Sequence, residues 1–216
     1  MIKLITLDFD GTTADTMPTL EEIAIRLMVK FYKLKEDDAR AKYRVTTGLP
    51  FVQQMDILFP SNPNNQEVVA QFEKEKIESI FDLPLFADAK STINSLRDNG
   101  FLVAISSSTT QPIIEKYCMQ NELNVDQILG YREGFEKGKD HFDFLMKQFK
   151  LTANELVYVG DSLKDCERAQ NNEILFIAKM GMFNREDFDK ISKSKIIIKD
   201  LEELVRIIPV LNQELK

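Results

Sequence analysis

Short apolar runs recur along the chain, each ending abruptly in polar residues. Ile2 to Phe9 is the first, β-branched-rich and closed by an aspartate and glycine cluster. Phe101 to Ile105, Leu156 to Val159, Ile174 to Ala178 and Lys195 to Ile198 follow, with a weaker run at Val125 to Leu129. Runs of this length and composition predict buried strands. Between them the apolar positions switch to a helical period: Ala89 to Arg97, Pro112 to Gln120, Phe142 to Phe149, Leu163 to Gln170 and Leu201 to Leu211. Pro112 suits a first helical turn, with Thr109 and Thr110 before it as candidate caps. Strands alternating with such helices predict an α/β fold, a doubly wound parallel sheet covered on both faces.

The alternation breaks between Thr16 and Leu83. That stretch has helical patterns only, at Leu20 to Tyr32, Asp37 to Tyr43, Phe51 to Leu58 and Gln66 to Phe81, with Ser61 to Asn65 as a loop. The expected organisation is therefore a Rossmann-like core from residues 1–15 and 84–216, with a helical cap domain over 16–83. A lobe inserted there would overhang the carboxyl edge of the sheet, where open α/β sheets bind ligands.

Composition narrows the function. The chain has 216 residues, 28 basic against 35 acidic, for a net charge of −7. Such an acidic chain is a poor nucleic-acid binder, which needs clustered Lys and Arg. A single histidine, His141, excludes chemistry that rests on two. Cys118 and Cys166 lie far apart, so a zinc site or disulfide framework is not expected and a reducing, cytoplasmic setting fits. No run approaches the roughly 18 apolar residues of a membrane helix, and the N-terminal run is too short for a secretory signal.

Four polar clusters carry candidate chemistry. Asp8-Phe9-Asp10-Gly11-Thr12 ends the first strand. Two carboxylates this close repel unless a cation offsets them, and a turn at Gly11 exposes backbone N–H groups to an anion. The plainer reading is an Asp-rich turn capping a helix. Gly160-Asp161-Ser162-Leu163-Lys164-Asp165 again follows a strand and opens a helix. If Asp161 and Asp165 both lie in its first turn they share a side, though aspartates there are also ordinary caps. Ser106 to Thr110 forms a hydroxyl-rich loop in which Ser106, with Ser107 beside it, offers donors to a phosphoryl oxygen. Lys137-Gly138-Lys139 is no phosphate loop. Only three residues separate Gly134 from Gly138, and Asp140 stands where Ser or Thr is needed. Either lysine could still balance aspartates, or simply be exposed.

In a parallel sheet the strand ends share one edge, so Asp8, Asp10, Ser106 and Asp161 converge. Three aspartates at one point imply a hard cation, Mg²⁺. A cation with lysine, hydroxyl and N–H donors makes a phosphoryl-binding site.

These motifs, in this order, resemble those of the haloacid dehalogenase superfamily, in its phosphoglycolate phosphatase and β-phosphoglucomutase-like group with a helical cap. The resemblance implies Asp8 as a nucleophile forming an aspartyl-phosphate and Asp10 as the acid and base. It implies Ser106 as a phosphoryl ligand and a lysine that offsets charge. Lys139, directly before its helix, is favoured for that lysine, with Lys137 the other candidate. Mg²⁺ would be held by Asp8, the Asp10 carbonyl and Asp161, with Asp165 acting from outside them. Asp10 favours phosphoryl transfer over dehalogenation. Leu20 stands where related mutases use a histidine, which weakens a mutase reading. The other alternative is a non-catalytic relative that only binds a phosphorylated ligand or a protein partner, which the presence of Asp8, Asp10 and Asp161 ranks low. Lys30, Lys33, Lys35 and Lys42 read better as surface lysines than as a Schiff-base former. The expected substrate is a small phosphorylated metabolite, hydrolysed by a monomer or homodimer. Around the Gly48 and Pro50 break, Arg44 and Thr47 are candidate substrate contacts.

Overall fold

A computed structural model describes residues 1–191 and 196–214. The chain divides into two compact units, Met1–Ala14 with Leu85–Lys216, and Asp15–Pro84.

The first unit is built on a six-stranded sheet. Its strands are β1 (Leu4–Asp8), β2 (Leu102–Thr110), β3 (Gln127–Tyr131), β4 (Leu156–Gly160), β5 (Leu175–Lys179) and β6 (Ile197–Ile198). Their order is β3-β2-β1-β4-β5-β6, and every pairing is parallel. β1 is central, and Leu4, Ile5 and Leu7 are fully buried, as a strand covered on both faces requires. Among the described residues the helices of this unit are α5 (Ala89–Asp98), α6 (Gln111–Gln120), α7 (Lys139–Phe149), α8 (Leu163–Asn171), α9 (Arg185–Ile191) and α10 (Leu204–Glu214). One face packs Phe142 and Leu145 of α7, Cys166 and Ala169 of α8 and Phe188 of α9 against Leu156, Tyr158 and Phe176. Each large apolar side chain so buried contributes roughly 1.5–3 kcal/mol.

The second unit is helical: α1 (Met17–Tyr32), α2 (Glu36–Thr46), α3 (Phe51–Leu58) and α4 (Asn65–Ile80). The α1 stripe Leu20, Ala24, Leu27, Met28 is buried at helical spacing. Phe51 stacks on Phe72 and Tyr32 on Phe59, each pair 3.7 Å between ring centres. Glu21, buried on α1, is clamped by Arg40 and Arg44 of α2.

Several elements differ from the pattern-based expectation. The hydroxyl run Ser106 to Thr110 is not a loop; it continues β2, with a register shift between Ser106 and Thr110. β-branched threonines suit a strand, and Ser107 Oγ finds a local partner there in the Thr109 N–H. Thr110 is the N-cap of α6, but its side chain makes no capping bond. Asp161 precedes α8 rather than joining its first turn, whereas Asp165 lies within that turn. The first strand starts at Leu4, because Ile2 is held by Asn212 of α10 through its N–H (2.5 Å) and carbonyl (3.0 Å). α9 was not anticipated, since its sequence offers Phe188 as the sole fully buried anchor; reciprocal bonds between Asn184 and Asp187 start it. The expected helix from Leu201 is a 3₁₀ turn, Leu201–Glu203, running into α10. Lys195, the first residue of the last predicted strand, lies outside the described residues.

Candidate active site

The carboxyl edge of the sheet gathers the predicted residues through register. Asp8 ends β1 opposite Ser106 of β2. Asp161 follows β4, the other neighbour of β1. Facing carboxylate oxygens of Asp8, Asp161 and Asp165 lie within 4.8 Å of one another, and all three residues are buried.

Lys137 is the cation among them. Its Nζ lies 2.5 Å from Asp8 Oδ1 and 2.8 Å from Asp165 Oδ1, and its side chain is only 6% exposed. Lys139 is not part of this cluster: its side chain is 72% exposed and pairs with Asp143 one turn along α7. The expectation that favoured Lys139 is therefore corrected to Lys137. Gly138 between them has φ +112°, a conformation that side-chain-bearing residues rarely adopt. The backbone turns there, leaving Lys137 before the helix and Lys139 on its solvated first turn.

Asp165 is saturated. It accepts from Tyr158 Oη (3.0 Å), Ser162 Oγ (2.6 Å) and Arg168 Nη1 (3.3 Å) besides Lys137. Its own N–H returns to Ser162 Oγ at 3.1 Å, which caps α8. Gly160 makes room for it, since a Cβ there would sit 2.7 Å from Asp165 Cβ. Thr12 Oγ1 stands 3.3 Å from Asp8 Oδ2 and 3.4 Å from Asp161 Oδ1, offering one proton to two carboxylates. Asp161 Oδ2 is buried without a hydrogen-bond partner.

The electrostatics follow from this geometry. Burial pushes the Asp8 carboxyl up to about 7; Lys137 opposes, while Asp165 and Asp10 add to the rise. Burial, with Asp8 and Asp165 nearby, drives Asp161 well above the carboxylate range. Burial acts on Asp165 too, but Lys137 and Arg168 overcome it and hold it below its ordinary value. Burial would lower Lys137, and Asp165 and Asp8 outweigh it, so its ammonium is held on. Two carboxylates that resist ionisation beside an orphaned oxygen fit a hard divalent cation, which supplies the missing positive charge.

Asp10 Oδ2 accepts from Thr109 Oγ1 at 3.3 Å. Ser106 is fully buried, with Oγ 2.8 Å from His141 Nδ1. Ser107 Oγ accepts from the Thr109 N–H at 3.0 Å. Gly11 does not present its N–H outward: it donates to the Ala14 carbonyl, while the N–H groups of Thr12 and Thr13 go to the Phe9 carbonyl. The turn closes on itself, so the anion nest expected at Gly11 is absent. Arg44 and Thr47 lie in the helical unit with partners of their own. Arg44 Nε donates to Glu21 Oε1 at 2.6 Å, and Thr47 Oγ1 to the Tyr43 carbonyl at 3.0 Å.

Sequence reasoning passed over Lys179 and the role of His141. Lys179 is buried at the end of β5, its Nζ 3.3 Å from the Gly11 carbonyl and 3.6 Å from the Phe86 ring centre. A lysine closing an apolar run on the same sheet edge was the available signal.

A family model for haloacid dehalogenase-like hydrolases matches residues 5–179. The chain belongs to that family. The matched span contains Asp8, Asp10, Ser106, Lys137, Asp161 and Asp165. A phosphoglycolate phosphatase of Vibrio parahaemolyticus is 24% identical, over 97% of each chain. One of Aliivibrio fischeri is 23% identical, over 78% of this chain and 80% of its own. A haloacid dehalogenase-like family hydrolase from Streptococcus pneumoniae shares the fold, with a TM-score of 0.80 and 18% identity over 96% of this chain and 98% of its own. This haloacid dehalogenase-like hydrolase is thus an enzyme of the phosphatase kind. Among the described residues no helix is long and apolar enough to cross a membrane.

Proposed function

We propose that this phosphatase hydrolyses the phosphate monoester of a small metabolite through an aspartyl-phosphate on Asp8. The observation that carries the reading is the buried Asp8 carboxylate, bonded to Lys137 through one oxygen, with Thr12 at the other. In the first half-reaction an Asp8 oxygen attacks phosphorus. The new P–O bond forms as the ester P–O bond breaks, and Asp10 gives its proton to the departing alkoxide. In the second, Asp10 takes a proton from water, whose oxygen attacks phosphorus and releases Asp8 and phosphate. Lys137 offsets charge at Asp8, Asp165 holds Lys137 in place, and Ser106 donates to a phosphoryl oxygen. Asp8 and Asp161, with the Asp10 carbonyl, would hold Mg²⁺, which supplies charge neutralisation for the phosphoryl oxygens when bound.

The two curated relatives act as phosphoglycolate phosphatases by name, which supports a small phosphorylated acid or sugar as the substrate class. A mutase reading finds no support at Leu20, which is buried in the α1 stripe. The test is hydrolysis of p-nitrophenyl phosphate by wild type and Asp8→Asn, each with Mg²⁺ and with a chelator. Activity is expected for the wild type with Mg²⁺ alone. Equal activity in Asp8→Asn overturns the nucleophile assignment. A panel of phosphorylated acids, sugars and nucleotides then ranks substrates by kcat/KM.

A further inference from the structure

His141 occupies the first turn of α7, fully buried, with its Nδ1 2.8 Å from Ser106 Oγ. Ser106 in turn lies in register with Asp8. We propose that His141 is a positioning residue: its Nδ1–H donates to Ser106 Oγ, which leaves the Ser106 hydroxyl proton for a phosphoryl oxygen. This inference rests on the phosphatase reading only for what the freed proton meets.

The number of protons available decides the direction of this bond. A neutral imidazole carries one N–H and a seryl hydroxyl one O–H, and one hydrogen bond joins them. If the hydroxyl donates, Ser106 has no proton left for a ligand, and the ring proton sits on Nε2. Nε2 is buried without a hydrogen-bond partner. A buried N–H left without an acceptor is the costlier defect, since orphaned donors are rarer than under-used acceptors. The Nδ1–H tautomer leaves only a bare lone pair at Nε2 and satisfies the ring's single donor. The imidazole stays neutral for two reasons. Burial pushes it down to about 4, with Lys137 adding to the fall and the Gly130 backbone and Asp140 acting the other way. A helix N-terminus also disfavours added positive charge. Phe135, 4.8 Å away between ring centres, covers the ring.

The chain has a single histidine, so a sample labelled with ¹⁵N-histidine gives one pair of ring resonances. At neutral pH, Nδ1 is expected to carry the directly bonded proton and Nε2 to show the shift of a bare nitrogen. A proton on Nε2, or on both nitrogens, overturns the proposal. This readout needs no turnover, so it stands apart from any failure of the phosphatase reading. Kinetics on p-nitrophenyl phosphate supply a second test. His141→Asn keeps an amide donor near the Nδ1 position and is expected to retain kcat/KM within about threefold, whereas His141→Leu loses roughly 10- to 100-fold, the usual scale for an orienting partner. In a Ser106→Ala background His141→Leu should cost nothing further. An equal loss in both backgrounds means that the ring acts by packing alone and overturns the proposal. If His141→Leu fails to fold, the spectrum and the Asn variant still decide.

Discussion

Lys137 bridges Asp165 and Asp8, 2.8 Å from one and 2.5 Å from the other, so a residue that precedes α7 joins two strand-end motifs. Removing that ammonium leaves Asp8 without its cation in a buried site and Asp165 with Arg168 alone. Lys137→Ala is expected to lower kcat/KM on an aryl phosphate by about 100-fold or more, the scale for a lost charge stabiliser. Lys139→Ala removes only an exposed ion pair and should stay within about twofold. Reversal of the two effects in steady-state assays would refute the assignment of Lys137.

Gly160 sets the position of Asp165. A Cβ at residue 160 would meet Asp165 Cβ at 2.7 Å and Oδ2 at 2.9 Å. Gly160→Ala should therefore displace the carboxylate that anchors Lys137, at an overpacking cost of about 1–3 kcal/mol. The expected signature is a lowered Tm together with a kcat loss approaching that of Lys137→Ala. A variant with unchanged Tm and kcat would show that Asp165 moves freely.

The raised Asp8 carboxyl has a pH signature. Its folded value of about 7 lies above the ordinary 3.8, so the folded state binds the proton more tightly. Its contribution to stability is full below about pH 4 and is lost as the pH rises through about 7. Asp161 is shifted in the same direction. His141, pushed down to about 4, works oppositely below its ordinary 6.5, but it does so with or without metal. The rise in Tm on adding Mg²⁺ isolates the carboxylates, because binding must displace their protons. That rise is expected to be larger near pH 8 than near pH 5. Equal increments in thermal melts at both pH values would refute it.

Asp161→Asn replaces a carboxyl whose ionisation burial, Asp8 and Asp165 all oppose. Without metal the variant is expected to melt about 2–4 °C above the wild type, as about 1 kcal/mol of relief implies for a chain of this size. With Mg²⁺ the order reverses, because the variant's amide lacks the carboxylate charge that would meet the cation. A metal-free Tm below that of the wild type would contradict the strain inferred at Asp161.

Much of the site is legible along the chain for a simple reason. An apolar run that stops at Asp8, at Ser106 or before Asp161 marks the carboxyl end of a strand. Parallel pairing then brings those ends to one edge, and the register Asp8 to Ser106 realises it. The helices between Asp15 and Pro84 were readable because stripes such as Leu20, Ala24 and Leu27 repeat at helical spacing. α9 was not, because Phe188 alone carries no period.

The alternation of strands and helices, and which carboxylates and hydroxyls close the strands, can be read along the chain, because both are written in local hydrophobic period. Tertiary structure alone decided which lysine serves Asp8, where the Gly11 N–H goes, and what holds Ser106. Lys137 and Lys139 are two residues apart with the same chemistry. They are separated only by the backbone turn at Gly138 and by a carboxylate 129 residues away in sequence. The single histidine likewise looked like an exclusion when counted, and became a partner of Ser106 only once β2 and α7 were packed together. Contacts between distant segments are set by how the elements pack, and no local period encodes them.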